Sequence, residues 1–211
     1  MDDKDTRQTI QIYNKLGKQY LNDIEKLVPE ERTKFIKKLK KGSRVLDVGC
    51  AGGRDTEAFI EAGFKAIGID LSEVLLKEAM KRVPSAQFIK MDARKLIFPD
   101  NSFDALWVNA VILHIKRSEI QDTLKGFHRV LKPKGILHIR VREGSGSRYV
   151  RDQLSQNLFR LYTFFTREEI IELVRRVGFE ILSIRKIADE AKRESLYWIS
   201  VLAEVAAHTE K

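Results

Sequence analysis

The chain has 211 residues, 43% hydrophobic and 33% charged, a balance that excludes a stapled peptide, a disordered tail and a fibrous repeat and leaves one globular domain with room for an appendage. Lysine and arginine total 39 against 30 acidic residues, a net charge of +9, which fits an anionic partner such as RNA as well as a solvated lysine-rich surface. The single cysteine, Cys50, has no partner for an internal bridge and no Cys/His cluster has zinc-site spacing, so a reducing, cytoplasmic setting without a metal is expected.

The start, Met1-Asp2-Asp3-Lys4-Asp5, is acidic where a secretory signal is basic, and the apolar runs are strand-sized, so a soluble, unexported protein is expected. From Ile10, the residues Tyr13, Leu16, Tyr20, Ile24 and Leu27 recur every three or four positions and predict one amphipathic helix ending before Pro29. Glu30 to Leu39 predicts a second, with Lys37, Lys38, Lys40 and Lys41 making its end basic before Gly42 stops it. Short apolar runs then alternate with helical stretches, as in a parallel sheet with crossover helices. The predicted strands are Arg44 to Val48, Lys65 to Asp70, Ala86 to Met91, Phe103 to Val108 and Gly135 to Val141. The predicted helices are Thr56 to Glu61, Glu73 to Arg82 and Glu119 to Val130, the last opened by a Ser118-x-x-Gln121 capping box. Thr166-x-x-Glu169 opens a further helix that Gly178 closes, and Phe179 to Ile187 and Tyr197 to Ala203 predict two strands joined by a charged loop.

Glycines follow the first strand in Asp47-Val48-Gly49-Cys50-Ala51-Gly52-Gly53-Arg54, where a tight turn and a helix N-terminus together make a nucleotide site. A dinucleotide loop needs glycine at 49, 51 and 54, and Ala51 and Arg54 break that pattern; no Gly-Lys-Ser/Thr makes it a phosphate-binding P-loop. Asp70 ends the second strand about twenty residues on, where a carboxylate accepts ribose hydroxyls. Asp92 follows the third strand and can accept from a purine amine.

The ordered set Asp47-x-Gly49-x-Ala51-x-Gly53, Asp70, Asp92, Phe103-Asp104 and Arg129-Val130-Leu131-Lys132-Pro133-Lys134-Gly135 resembles the class I S-adenosylmethionine-dependent methyltransferases, from roughly Leu39 to Leu202. The resemblance implies an α/β, Rossmann-like three-layer sandwich. Its seven-stranded, mostly parallel sheet would run 3-2-1-4-5-7-6 with strand seven antiparallel, residues 1–41 forming a helical cap and 42–211 the methyltransferase domain. It further implies S-adenosylmethionine as methyl donor and S-adenosylhomocysteine as product. Asp47, Gly49, Cys50, Ala51, Gly53 and Arg54 would lie along the methionine part, Asp70 at the ribose, Asp92 at the adenine amine with Leu71 and Ala93 beside the ring, and Asn109 on the donor wall. Ala51 and Lys134 stand where that family usually has glycine.

The acceptor is less legible. Asn109-Ala110-Val111-Ile112 is not the Asp/Asn-Pro-Pro-Tyr/Phe of enzymes that methylate nucleobase amines, and the only cysteine, in the glycine loop, is not placed to be a pyrimidine nucleophile. His114, after the fourth strand, is the candidate proton acceptor, whereas His128 and His138 read as structural. Arg140, Arg142, Arg148 and Arg151 surround a single acid, Glu143, and a Gly144-Ser145-Gly146-Ser147 stretch, followed by Tyr149, Phe159, Tyr162, Phe164 and Phe165. This segment is expected to be a mobile lid, with Arg142 and Arg148 contacting an anionic or aromatic acceptor and Tyr13 and Tyr20 capping from the N-terminal helix. Three functions stay open: methylation of a small anionic or aromatic molecule, methylation of tRNA or rRNA, and a non-catalytic S-adenosylmethionine-binding sensor or scaffold.

Overall fold

The computed structural model describes residues 4–156, 158–191, 193 and 196–206; the acidic start Met1–Asp3 and residues 207–211 of the expected methyltransferase domain lie outside them. Its helices are α1 (Lys4–Leu16), α2 (Lys18–Ile24), α3 (Glu30–Lys38), α4 (Arg54–Glu61), α5 (Glu73–Arg82), α6 (Arg117–Val130) and α7 (Arg167–Arg176). Its strands are β1 (Arg44–Val48), β2 (Lys65–Asp70), β3 (Gln87–Lys90), β4 (Phe103–Asn109), β5 (Leu131–Arg142), β6 (Ser147–Arg151), β7 (Phe159–Thr163), β8 (Phe179–Ala188) and β9 (Tyr197–Val205). Seven strands form one sheet in the order β3-β2-β1-β4-β5-β9-β8. β1 to β5 pair in parallel, and β9 runs antiparallel to both neighbours. Counted along the chain, this is the expected 3-2-1-4-5-7-6 order.

The central strands read as continuous apolar runs because both of their faces are covered. Leu46, Leu106, Leu137 and Ile139 face α6 and α7 through Ile120, Leu124, Phe127, Ile170 and Val174. Val45, Ala105 and Trp107, one residue out of phase, meet Phe35 of α3 and Phe59 of α4 on the other side. The Trp107 ring lies 5.2 Å from Phe35 and 5.9 Å from Phe59, and stacks on His138 at 3.9 Å. His138 shares a 3.0 Å hydrogen bond with Ser200, and burial drops its pKa to about 3, so it is a neutral packing group as expected.

Three local expectations are corrected. The single helix from Ile10 to Leu27 is two helices, because Gly17 between them adopts φ 48°, ψ −124°, a conformation that ends an α-helix and that only glycine takes without strain. The Ser118 capping box does not form, since α6 begins at Arg117, whose guanidinium donates to the carbonyls of Phe164 (2.6 Å) and Gly146 (3.2 Å) and pairs with Glu169. β5 starts at Leu131 rather than Gly135. The presumed lid is an antiparallel hairpin of β6 and β7 outside the main sheet, with Tyr162, Phe164 and Phe165 buried beneath it. Thr166 caps α7 as expected, accepting from the Glu169 amide at 3.1 Å. No described helix is long and apolar enough to cross a membrane.

Phe35 is fully buried in the sheet's second core, so Phe35→Ala should cost about 3–5 kcal/mol by urea unfolding. Exposed Lys37→Ala on the same helix should stay within about 0.5 kcal/mol. Equal effects would mean that α3 does not belong to the core.

Candidate functional site

The C-terminal ends of the parallel strands meet along one edge of the sheet, where open α/β sheets place their ligands. A cavity of about 240 Å³ lies there, roofed by Thr9, Tyr13, Tyr20, Leu21 and Ile24 of α1 and α2.

At one end it is walled by the loop after β1, by Asp70 and Leu71 after β2, by Asp92 and Ala93 after β3, and by Asn109 at the end of β4. Of the loop residues singled out, Asp47, Gly49, Cys50, Ala51 and Arg54 line the cavity, and Gly53 does not. Gly53, the N-cap of α4 at φ 81°, faces the interior instead, where an added Cβ would lie 3.1 Å from Phe88 and 3.2 Å from Ala79. Gly49 leaves no room either, since a Cβ there would come within 2.4 Å of Val111. Asp70 accepts the amides of Ala51 (3.0 Å) and Ser72 (2.8 Å), and loss of water raises its pKa despite those bonds. Asp92 is held by Arg94, whose Nη2 donates at 2.7 Å.

Beneath the loop two carboxylates differ by environment. Asp47 accepts from Thr56 Oγ1 at 2.6 Å, and burial, with Asp55 close by, pushes its pKa up to about 8. Burial would raise Asp55 too, but the guanidiniums of Arg54 and Arg32 outweigh it and hold the pKa below the ordinary value. Arg54 also donates to the carbonyls of Ile24 (2.6 Å) and Leu27 (3.2 Å), gripping the end of α2. Its role is therefore partly to fasten the roof.

The other end of the cavity is aromatic and cationic, lined by Tyr13, Tyr20, His114, Arg140, Asp152, Arg160, Tyr162, Asp189, Glu190, Arg193 and Trp198. Tyr13 Oη and His114 Nε2 share a 3.0 Å hydrogen bond. Burial and the charge of Arg160 lower the His114 pKa well below its usual value, so the imidazole is neutral. Arg193 bridges Asp152 (2.9 Å) and Asp189 (2.7 Å), and Trp198 Nε1 donates to Asp189 at 2.8 Å. Arg140 pairs with Glu190 and stands 4.4 Å over the Trp198 ring.

The structure does not bring Arg142 and Arg148 to this wall. Arg142 turns to Asp152 (3.3 Å) and the rings of Tyr162 and Phe164, and exposed Arg148 stacks on Phe164 at 3.7 Å. Hairpin pairing alternates the side chains of β6 and β7 between faces, and it is Arg160 and Tyr162, two residues apart on β7, that turn inward together. Reading the alternation from Phe159 to Thr163 as a strand would have found them. Nothing local marks Arg193.

A family model described as a methyltransferase domain matches residues 45–135. A relative in Bacillus subtilis (strain 168) that bears a provisional methyltransferase name, YqeM, is 36% identical over 114 residues, 51% of this chain and 46% of its own length; the match thus spans less than half of that relative. Among solved structures, the 1,6-didemethyltoxoflavin-N1-methyltransferase of Burkholderia thailandensis, with 1,6-didemethyltoxoflavin and S-adenosylhomocysteine bound, superposes with a TM-score of 0.76 at 21% identity, over 95% of this chain and 88% of that one. The [4+2]-cyclase SpnF does so at 0.75 and 20% identity, over 94% and 95%. At these identities the likeness is one of fold, and the cyclase shows that the fold alone does not fix a reaction.

Because Asp47 keeps a proton in the fold that the unfolded chain has already released, its contribution to stability is present below about pH 4 and is lost as pH rises toward its folded value near 8. Asp47→Asn should flatten that fall. Urea denaturation at pH 5 and pH 8 measures it, and an unchanged slope in the variant would mean that Asp47 is ionised throughout.

Proposed function

We propose that the chain is a class I S-adenosylmethionine-dependent methyltransferase, a reading that the methyltransferase-domain match and the relatives support, and that it moves the methyl group of S-adenosylmethionine to a small anionic or aromatic acceptor held beneath α1 and α2. The observation that carries the reading is that one cavity joins the loop after β1 to the aromatic, arginine-lined end, so donor and acceptor can meet without water between them.

The residues at the first end suit the donor. Asn109 Oδ1 is buried with no hydrogen-bond partner, and each Asp70 oxygen has spent one lone pair on a backbone amide and keeps another for a ribose hydroxyl. In this reading Asp47, Gly49, Cys50, Ala51 and Arg54 lie along the methionine part, Asp92 at the adenine amine, and Leu71 and Ala93 beside the ring; Gly53 supports the loop from below. The cofactor supplies a methyl group already activated on its sulfonium, so the protein's main task is alignment. Tyr13 and Tyr20 close the roof over the acceptor, and His114, neutral and tied to Tyr13, is placed to take a proton from a hydroxyl or amine.

The lysine run that, with the +9 charge, kept RNA in view lies away from the cavity. Lys40 and Lys41 adjoin Gly42 and Ser43, whose backbones bond to Gly63 and Lys65 at the N-terminal ends of β1 and β2, the opposite edge of the sheet from Gly49 and Asp70. This favours the small acceptor.

S-adenosylhomocysteine at a hundredfold excess over Kd should stabilise the fold by about 2.7 kcal/mol, read as a rise in melting temperature, and NAD should not. Equal shifts with NAD would sink the cofactor assignment. By calorimetry, Asp70→Ala should weaken S-adenosylhomocysteine more than Asp92→Ala, since Asp70 has two oxygens free to accept and Asp92 is committed to Arg94. Filter binding of tRNA should be weak at physiological salt; tight binding with a steep salt slope, flattened by changes at Lys37, Lys38, Lys40 and Lys41, would transfer the proposal to RNA. Binding without turnover on any acceptor would favour a sensor or scaffold.

A further inference from the structure

Arg160 is the one cation at the acceptor end without a carboxylate of its own among the described residues. Three guanidiniums of the lining, Arg140, Arg160 and Arg193, with Arg142 behind them, meet three acids, Asp152, Asp189 and Glu190. Arg193 takes Asp152 and Asp189, Arg142 shares Asp152, and Arg140 takes Glu190. Arg160 is only 2% exposed, and its Nη2 donates to the Tyr162 hydroxyl at 2.7 Å, which in turn donates to Asp152 at 3.1 Å. Its Nε and Nη1 are buried with no hydrogen-bond partner. The Tyr13 ring of the roof covers it at 4.7 Å, and Tyr162 flanks it at 5.3 Å.

A buried guanidinium with two idle nitrogens is costly unless an anion completes it. Around it the wall is aromatic, with Tyr13, Tyr20, Tyr162, His114 and Trp198. We propose that Arg160 is the anchor for a carboxylate on the methyl acceptor, and that the acceptor is a small aromatic carboxylic acid. One of the two idle groups, Nε or Nη1, donates to the carboxylate from its own edge of the guanidinium, and the ring lies among the tyrosines. Because Tyr13 covers the guanidinium and belongs to α1, the acceptor enters before the roof closes, with Gly17 as the break that lets α1 and α2 move separately. The same negative charge would offset the Arg160 field that disfavours protonated His114, so binding the carboxylate also makes His114 a better proton acceptor. This assignment rests on the methyl-transfer reading.

The test uses the full chain loaded with S-adenosylhomocysteine and titrated by calorimetry with benzoate and with its neutral counterpart benzamide. Benzoate should bind saturably and benzamide at least about tenfold more weakly, the scale of a charge-assisted hydrogen bond. Arg160→Gln should abolish that preference while S-adenosylhomocysteine affinity stays at the wild-type value, and Arg160→Lys should keep part of it. Equal binding of the two probes, no saturable benzoate binding, or a preference that survives Arg160→Gln overturns the proposal. If Arg160→Gln does not fold, the wild-type comparison and Arg160→Lys decide it alone. Failure of S-adenosylhomocysteine to bind wild-type protein is a separate result, and it counts against the methyl-transfer reading instead.

Discussion

A single buried carboxylate ties the roof of the cavity to its floor. Asp55, in the first turn of α4, accepts from Arg32 of α3 (2.8 Å), from Arg54 (3.0 and 3.1 Å) and from Trp107 Nε1 of β4 (3.0 Å). Arg54 carries the connection onward to the carbonyls of Ile24, the last residue of α2, and of Leu27 in the turn that follows it. Breaking one partner out of so buried a network typically costs about 3–5 kcal/mol, so α2, α3, α4 and the central sheet hold together through one side chain. An arginine at the position where a dinucleotide loop requires glycine follows from this: the loop has given up close helix–strand contact for a tether to the helices above it.

The glycine loop also shows how a backbone conformation outlives the residue that usually permits it. Ala51 and Lys134, which stand where the resembling family has glycine, adopt φ 47° and 59°, the left-handed region that costs an ordinary residue about 1–2 kcal/mol. At Ala51 the neighbourhood compensates, since its amide is held by Asp70 and the adjacent amides of Gly49 and Cys50 both reach the Ile69 carbonyl at 2.8 and 2.9 Å. The loop therefore keeps its shape because β2 holds it from the side.

At the far end the cavity is built by parts of the chain that are distant in sequence. α1 is latched to the hairpin by Tyr149 donating to Asp5 and by Gln8 donating to the Phe159 carbonyl at 3.0 Å, while Lys116 reaches Asp5 at 3.3 Å. The hairpin is thus the wall against which the N-terminal helix lies.

By itself the sequence determined the sheet and most of the residues that wall one end of the cavity. Apolar runs of strand length, helical spacing between them and the ordered carboxylates Asp70 and Asp92 are local patterns whose period and position survive folding, and they placed β1 to β5, β8, β9 and the loop residues Asp47, Gly49, Cys50, Ala51 and Arg54 before any coordinates. Helix breaks and partners were harder. Gly17 sits inside an unbroken hydrophobic periodicity, so only its backbone angles reveal that one predicted helix is two. Which arginines face the cavity was decided by tertiary structure alone, because Arg140, Arg160 and Arg193 come from β5, β7 and the loop before β9, and their neutralisation depends on Asp152, Asp189 and Glu190 arriving beside them. Charge counted along a chain cannot show which cation lacks a carboxylate; only the assembled set of neighbours does, and at this end of the cavity, among the described residues, it is Arg160.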